Sequence, residues 1–324
     1  MENGVPTYLV TGGAGFIGSH LADALLARGC RVRVLDDFST GQTGNIDPRC
    51  EVVRGDVADP VAVRRALEGA AGCFHLAAIA SVARANEEWL ATHRVNLGGT
   101  ITVLDAARAL GGVPVVYASS AAVYGNVSGI AHEGLSPVPL TAYGADKLGS
   151  EQHARVAGLV HGVPTLGLRF FNVYGPRQDP ASPYSGVISI FARRVGEGAP
   201  ILVHGDGRQT RDFVFVDDVV AHLAAAMRAL EAGGSAVAAT PAAVNVCTAQ
   251  ETSVLDLAAT LGALAGRTPV LTHHPARPGD IRRSVGSPDR AATALGVRAL
   301  VPLRQGLAAT LGSLVQASPV LRRA

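Results

Sequence analysis

The sequence predicts an α/β chain: a Rossmann-type, doubly wound parallel sheet with a smaller C-terminal α/β lobe that holds the substrate. Three observations carry this. Strand and helix patterns alternate through the first half, and the strand-like runs are almost wholly apolar, as strands covered on both faces must be. A glycine-rich turn also joins the first strand to the first helix. The 324 residues, 48% of them hydrophobic, suit two domains at about 150 residues apiece. The expected division is 1–172 with 213–246 for the dinucleotide-binding unit, and 173–212 with 247–324 for the substrate lobe.

Taken in order, Thr7–Thr11 is a short apolar strand and Gly12–Gly18 a turn. Phe16–Arg28 carries apolar residues at helical spacing (Ile17, Leu21, Ala24, Leu25) and stops at Gly29, a natural C-cap. Further strands are predicted at Arg31–Leu35, Glu51–Val53, Cys73–Ala77, Val113–Ser119 and Thr165–Phe171. Helices are predicted between them at Pro60–Glu68, Glu87–Leu110 and Tyr143–Val160. After Gly175 the chain turns irregular, then helical over Val187–Gly196, then turns at Gly205-Asp206-Gly207. The last third reads as Ala/Leu-rich helix broken by a polar insert at Thr272–Ser287, with Gly233–Val244 as a loop.

The composition excludes several classes. A net charge of +2 leaves no electrostatic footprint for nucleic acid or an anionic membrane. Charged residues at 17% with 48% hydrophobic is the reverse of a disordered composition. Cys30, Cys50, Cys73 and Cys247 are far apart, so neither a disulfide framework nor a zinc site is expected. His273-His274 lacks further ligands at metal spacing, so no metal is expected. No apolar run reaches a membrane-spanning length and no signal-peptide pattern opens the chain, so a cytoplasmic location is expected.

Two motifs carry chemistry. In Thr11-Gly12-Gly13-Ala14-Gly15-Phe16-Ile17-Gly18, Gly12 permits the turn, Gly15 lets backbone approach a pyrophosphate, and Gly18 lets helix and strand pack closely. Asp36, at the end of the second strand, is placed to accept from an adenosine ribose diol and would repel a 2′-phosphate. NAD is therefore expected over NADP. The second motif is Tyr143-Gly144-Ala145-Asp146-Lys147, with Ser120 upstream at a strand end. Tyr143 and Lys147 are four residues apart and share a helix face. A neighbouring ammonium and a cationic nicotinamide would favour the phenolate, letting the tyrosine move a proton while Ser120 binds the same hydroxyl. A bare Y-x-x-x-K also arises in ordinary amphipathic helices; the glycine motif and the upstream serine make it specific.

With these residues in place the chain resembles the extended short-chain dehydrogenase/reductase family, and within it the UDP-hexose 4-epimerases. The likeness runs from Thr7 to Leu311 through TGGAGFIGSHL, Asp36-Asp37, Arg54-Gly55-Asp56-Val57, His75-Leu76-Ala77-Ala78, Val95-Asn96-Leu97, Ser119–Gly125, YGADK and Arg169–Pro176. It continues through Gly205–Phe213 and Arg277-Pro278-Gly279-Asp280. The resemblance implies that Ser120, Tyr143 and Lys147 form the catalytic set, Lys147 also holding the nicotinamide ribose. It implies cofactor contacts from Gly12, Gly15, Phe16, Ile17, Gly18 and Asp36, with Asp56 and Val57 at the adenine. Leu76, Ala77, Ala78 and Asn96 would lie along the pyrophosphate. For the nucleotide sugar it implies Asn172, Arg211 and Arg277 at the diphosphate, Asp280 at the uridine ribose, Val187 as a further substrate contact, and Ser284 beside the hexose.

Departures narrow the activity. Dehydratases of the family carry an Asp-Glu pair where this chain has Ala121 and Ala122, so elimination of water has no acid or base. A lysine of some galactose epimerases is Ala80 here, and a late Gly-Thr-Gly reads Cys247-Thr248-Ala249. Ser284 stands where galactose-restricted relatives place a bulky tyrosine, leaving room for an N-acetyl group. The expected activity is interconversion of UDP-glucose with UDP-galactose, and of UDP-GlcNAc with UDP-GalNAc, by a homodimer. The alternatives are a UDP-glucuronate 4-epimerase, a 4,6-dehydratase or reductase, and an NAD-binding regulator without catalysis.

Overall fold

The computed structural model describes residues 4–179, 186–233, 243–276 and 281–317. Its centre is a seven-stranded sheet. In chain order its strands are β1 (Thr7–Thr11), β2 (Arg31–Asp36), β3 (Glu51–Arg54), β4 (Gly72–His75), β5 (Val115–Ser120), β6 (Thr165–Phe170) and a last strand, Ala243–Val246. Their spatial order is β3-β2-β1-β4-β5-β6 and then Ala243–Val246, every pair parallel. The order reverses between β1 and β4, and ligands of such sheets bind at that switch, beyond the carboxyl ends of the strands.

Strand residues alternate between two apolar layers, which fixes the register. Leu9, Leu35, Cys73, Val115 and Tyr117 face α2 (Pro60–Leu67), α5 (Gly99–Ala109) and α6 (Ala142–His161). Tyr8, Val10, Val34, Phe74 and Val116 face α1 (Phe16–Ala27) and α7 (Val216–Glu231). Local chemistry sets the helix ends. Asp59 accepts from the Val61 N–H ahead of Pro60, and Thr141 accepts from the Gly144 N–H to start α6. Gly162, at φ 66°, ends α6 in the left-handed region.

Two sequence expectations are corrected here. The helix expected over Glu87–Leu110 is broken into α3 (Val82–Glu87), α4 (Trp89–His93), a wide π turn at Arg94–Gly98 and α5. The π turn carries Asn96, whose buried side chain grips the loop after β4, and such widened turns gather at sites. The loop expected over Gly233–Val244 gives way at Ala243 to the seventh strand. This strand lies at the sheet edge, and the Glu133 carboxylate accepts from the Asn245 N–H at 2.7 Å.

The second lobe has a core of its own, formed by Tyr174, Ile188, Phe191, Ile201, Phe213, Phe215, Leu257 and Leu307. Phe16 and Ile17 of α1 pack against it, so the start of the glycine-loop helix joins the two lobes. Short strands β7 (Asn172–Tyr174), β8 (Thr210–Arg211) and β9 (Phe213–Phe215) bring the expected substrate-side residues to this seam, with β7 and β9 paired. Among the described residues no helix is long and apolar enough to cross a membrane.

Candidate active site

The glycine turn is built by exclusion. Gly12 sits at φ 70°, and a Cβ there would meet the Ala77 backbone at 2.8 Å. A Cβ on Gly18 would fall onto the Gly12 carbonyl oxygen, so the loop closes only with hydrogen at both positions. Gly15 is the N-cap of α1 without a side chain, leaving the first N–H groups of the helix open to an anion. Asp36 ends β2 with Oδ2 accepting from Ala14 N–H and Oδ1 from Phe38 N–H, both at 2.9 Å. Burial raises its pKa, and the two N–H bonds oppose the rise. Each carboxylate oxygen keeps a lone pair for a diol. This cradle and its acid fit a dinucleotide whose ribose is not phosphorylated.

Asp56 follows β3. Burial pushes its carboxyl up, but the Ala58 N–H and the Arg94 guanidinium more than offset this and hold it below the usual range. Val57 turns inward, against Gly99 of α5. Leu76, Ala77 and Ala78 run out from the end of β4 and are half-buried. The amides of Leu76 and Ala77 donate to Thr11 Oγ1 at 3.2 Å. Asn96 holds the same loop by a two-way bond, Ile79 N–H to its Oδ1 at 2.8 Å and its Nδ2 to Ile79 O at 3.2 Å. Its amide therefore shapes the loop that follows β4.

Behind this loop stands His75, which sequence reasoning used only as a family mark. Its Nδ1 meets Thr11 Oγ1 at 2.8 Å and its Nε2 meets Thr100 Oγ1 at 3.1 Å. Thr100 gives its proton to Asn96 O, and Thr11 already accepts two amides. Bookkeeping leaves Nε2–H as donor and Nδ1 as acceptor. Burial, helped by the charge of Lys147, pulls the imidazole pKa down to about 3, so the ring is neutral.

The Ser120, Tyr143 and Lys147 side chains are brought together where β5 ends and α6 begins. Ser120 Oγ accepts from Ala122 N–H at 3.1 Å and is hydrogen-bonded to the Tyr143 phenol. Lys147 Nζ lies 5.8 Å from the Tyr143 ring centroid and donates to Ala118 O at 2.8 Å. Ser119 points to the other side of the strand and donates to Glu151 Oε1, which is itself paired with Arg169. Only the second serine of the pair therefore serves the cleft. Burial raises the Tyr143 phenol and the Ser120 bond lowers it, with a net rise. The expected lowering by Lys147 is thus corrected for the free site: the ammonium is tied to a carbonyl, and burial takes Lys147 itself down to about 8.

The substrate-side residues converge on Asp212. Its backbone carbonyl accepts from Asn172 N–H at 3.0 Å, and its own N–H donates to Ser284 O at 2.9 Å. Arg211 and Ser284 are Cα partners across parallel strands, Ser284 in the strand Arg283–Ser284. Arg211 Nη1 donates to Thr210 O at 2.8 Å and Ile281 O at 2.7 Å, which fixes the guanidinium at the strand end. Ser284 lines a small pocket with Ala121, Tyr124, Gly125, Phe171 and Val285, one residue from Ser120. Val187 opens the helix Val187–Glu197 and packs on the lobe core. Arg277 and Asp280 lie outside the described residues.

Two features were missed from sequence. Asp212, fully buried, accepts from Thr248 N–H, Thr248 Oγ1 and Ala249 N–H, and so clamps the Cys247-Thr248-Ala249 segment. Ala249 lies at φ 60°, where the glycine usual in relatives would be unstrained. The other is a matter of counting: Lys147 is the only lysine among the 28 Lys and Arg residues of the chain. Of these types, only lysine shifts its pKa readily when buried.

Residues 8–247 match the NAD dependent epimerase/dehydratase family. The UDP-glucose 4-epimerase of Mycolicibacterium smegmatis is 37% identical over 311 residues, covering 94% of this chain and 96% of that one. A UDP-glucose 4-epimerase of Thermotoga maritima, solved with UDP-glucose, superposes with a TM-score of 0.90 at 32% identity, over 96% of this chain and 99% of that one. The Thermus thermophilus UDP-glucose 4-epimerase in complex with NAD gives 0.85 at 36% identity, over 96% and 100% of the two chains. Glycine turn, strand-end acid and Ser-Tyr-Lys set thus stand on the fold those enzymes share, and the chain belongs to the NAD dependent epimerase/dehydratase family.

Proposed function

We propose that this protein is a UDP-hexose 4-epimerase that inverts C4 through a transient 4-keto sugar, with UDP-glucose and UDP-galactose as one pair and the N-acetylated sugars as another. The observation that carries the reading is the Ser120–Tyr143–Lys147 cluster with Ala121 and Ala122 beside it. This site can move a proton on and off a hydroxyl but has no carboxyl group there to eliminate water. NAD, when bound, supplies the acceptor and donor of hydride at C4 and a positive charge near the phenol. Gly12, Gly15, Phe16, Ile17, Gly18, Asp36, Asp56, Val57, Leu76, Ala77, Ala78 and Asn96 form its bed. Tyr143 takes the proton of the 4-hydroxyl while Ser120 holds the same oxygen, and Lys147 supports the developing phenolate.

Arg211 and Asn172, with Arg277 and Asp280, hold the diphosphate and uridine end. A firm grip there leaves the hexose free to present either face. We assign 1–172 with 213–246 to the cofactor unit and the remainder to the substrate lobe. We also infer a cytoplasmic location and a homodimer, the dimer supported by the exposed Trp89, Leu90, Ile101, Val156, Leu159 and Val160 on neighbouring helices α4, α5 and α6.

The test is separate incubation with UDP-glucose, UDP-GlcNAc and UDP-glucuronate, with products resolved by NMR. Epimers of the first two, with no net change in NADH, are expected. Tyr143→Phe should lower turnover by about 10²–10⁴-fold while NAD stays bound. Near-full activity in that variant would sink the mechanism, and accumulation of a 4-keto product would favour a dehydratase.

A further inference from the structure

The pocket that holds Ser284 is walled by two segments far apart in the chain. One runs from Tyr124 to Ala131 after β5, and the other is Arg283-Ser284-Val285. They meet through main-chain bonds: Ala131 N–H donates to Val285 O and Ser287 N–H to Ala131 O, both at 2.9 Å. Behind them, on the edge strand beside β6, stands Asn245, whose side chain is fully buried. Its Oδ1 accepts from the Tyr124 hydroxyl at 2.7 Å. Its Nδ2 donates to Ala131 O at 3.0 Å and to Ser287 O at 3.3 Å. One side chain therefore reaches both walls.

These bonds use both amide protons and the amide oxygen, and the two carbonyls fix which way the amide faces. A buried polar group satisfied on every side specifies one arrangement of its partners. Packing alone asks for an apolar residue here. What the amide adds is a fixed distance between two carbonyls on separate segments. Neighbouring groups complete the frame. Arg169, the Cα partner of Asn245 on β6, sets its guanidinium 4.8 Å from the Tyr124 ring centroid, so Tyr124 is held at ring and hydroxyl. Val246 O accepts from the N–H of Phe171, another lining residue, at 3.2 Å.

We propose that Asn245 is a positioning residue for substrate choice: its amide ties the two walls into one frame and sets the space beside Ser284 that takes the N-acetyl group. The inference rests on the epimerase reading for its substrates, though not for its mechanics. Walls already in place need no ordering when a ligand arrives. An N-acetyl group beside Ser284 touches those walls, whereas a plain hexose depends mainly on the grip at its diphosphate. Loosening the frame therefore weakens the N-acetylated sugar selectively.

Asn245→Asp keeps an acceptor for Tyr124 and removes the two-pronged donor. Asn245→Ser is too short to span both carbonyls and carries the test if the aspartate variant does not fold. Dissociation constants for UDP-GlcNAc and UDP-glucose are measured by calorimetry on one NAD-loaded preparation, and kcat/KM for the two sugars in competition by NMR. The ratio between sugars is independent of how much protein is folded, so a purely structural role would not move it. Affinity and kcat/KM for UDP-GlcNAc should fall about three- to tenfold relative to UDP-glucose. A ratio unchanged within about twofold in a folded variant overturns the proposal, whatever happens to its melting temperature. If the unaltered protein binds both sugars and epimerises neither, the epimerase reading falls and the affinity ratio still decides the role of Asn245. Binding of neither sugar overturns both.

Discussion

Tyr143 and Ser284 show what single side chains can and cannot settle. The Tyr143 phenol is raised in the free site because burial outweighs its bond to Ser120, a balance that depends on packing. The tyrosine, serine and lysine were each legible in the sequence, since their spacing along β5 and α6 follows from helix and strand geometry. The sign of the shift was not, because desolvation comes from residues far away in the chain. Ser284 lines the pocket that includes Ala121, and its size rather than its hydrogen bonding is what the proposed substrate range uses. Ser284→Tyr should cut turnover of UDP-GlcNAc relative to UDP-glucose by roughly ten- to a hundredfold, the scale of an overpacking cost. Equal loss on both sugars, measured side by side, would remove the steric argument.

Among the elements, long apolar strands and capped helices were readable, and elements defined by their partners were not. β1, β4, β5 and β6 follow from runs buried on both faces, and the edge strand β3 from its valines, of which only Val53 is buried. The edge strand Ala243–Val246 follows an Ala-rich stretch and is completed by β6 and the Glu133 carboxylate, contacts distant in sequence. The break before Trp89 and the π turn at Asn96 were hidden because apolar spacing runs through both. The segment after that edge strand supports a prediction of its own. Ala249 holds φ 60° because Asp212 binds its N–H and the Thr248 hydroxyl. Ala249→Gly should relieve the left-handed alanine and stabilise the fold by about 1 kcal/mol. Urea unfolding checks this, and an unchanged or lower midpoint would mean that the strain is compensated elsewhere.

For the whole molecule, the buried neutral histidine ties stability to pH. His75 bridges β1 and α5 and keeps its folded pKa at about 3. The unfolded value is about 6.5, so between these limits the unfolded chain binds a proton that the folded chain refuses. Its contribution is therefore complete above about pH 6.5 and is lost as pH falls toward 3, at up to about 1.4 kcal/mol per pH unit. Thermal melts from pH 7 down to about pH 4.5 should show this decline, and His75→Asn should flatten it. Parallel curves for the two proteins would assign the acid loss to other groups. The change in character after Gly175 marks where residues of a separate apolar core begin. The packing of that core on Phe16 and Ile17 was not legible, because those residues sit inside the glycine motif and read as cofactor contacts.

The pairing of Arg211 with Ser284 has one more consequence. On the proposed reading, the residue that anchors the diphosphate and the residue that limits the sugar ring are neighbours on one rigid strand pair, held through the backbone of Asp212. The frame is fixed by main-chain bonds, and the gate is one side chain mounted on it. Substrate range can then drift in small evolutionary steps, by exchange of that side chain, while the grip on the nucleotide is inherited unchanged.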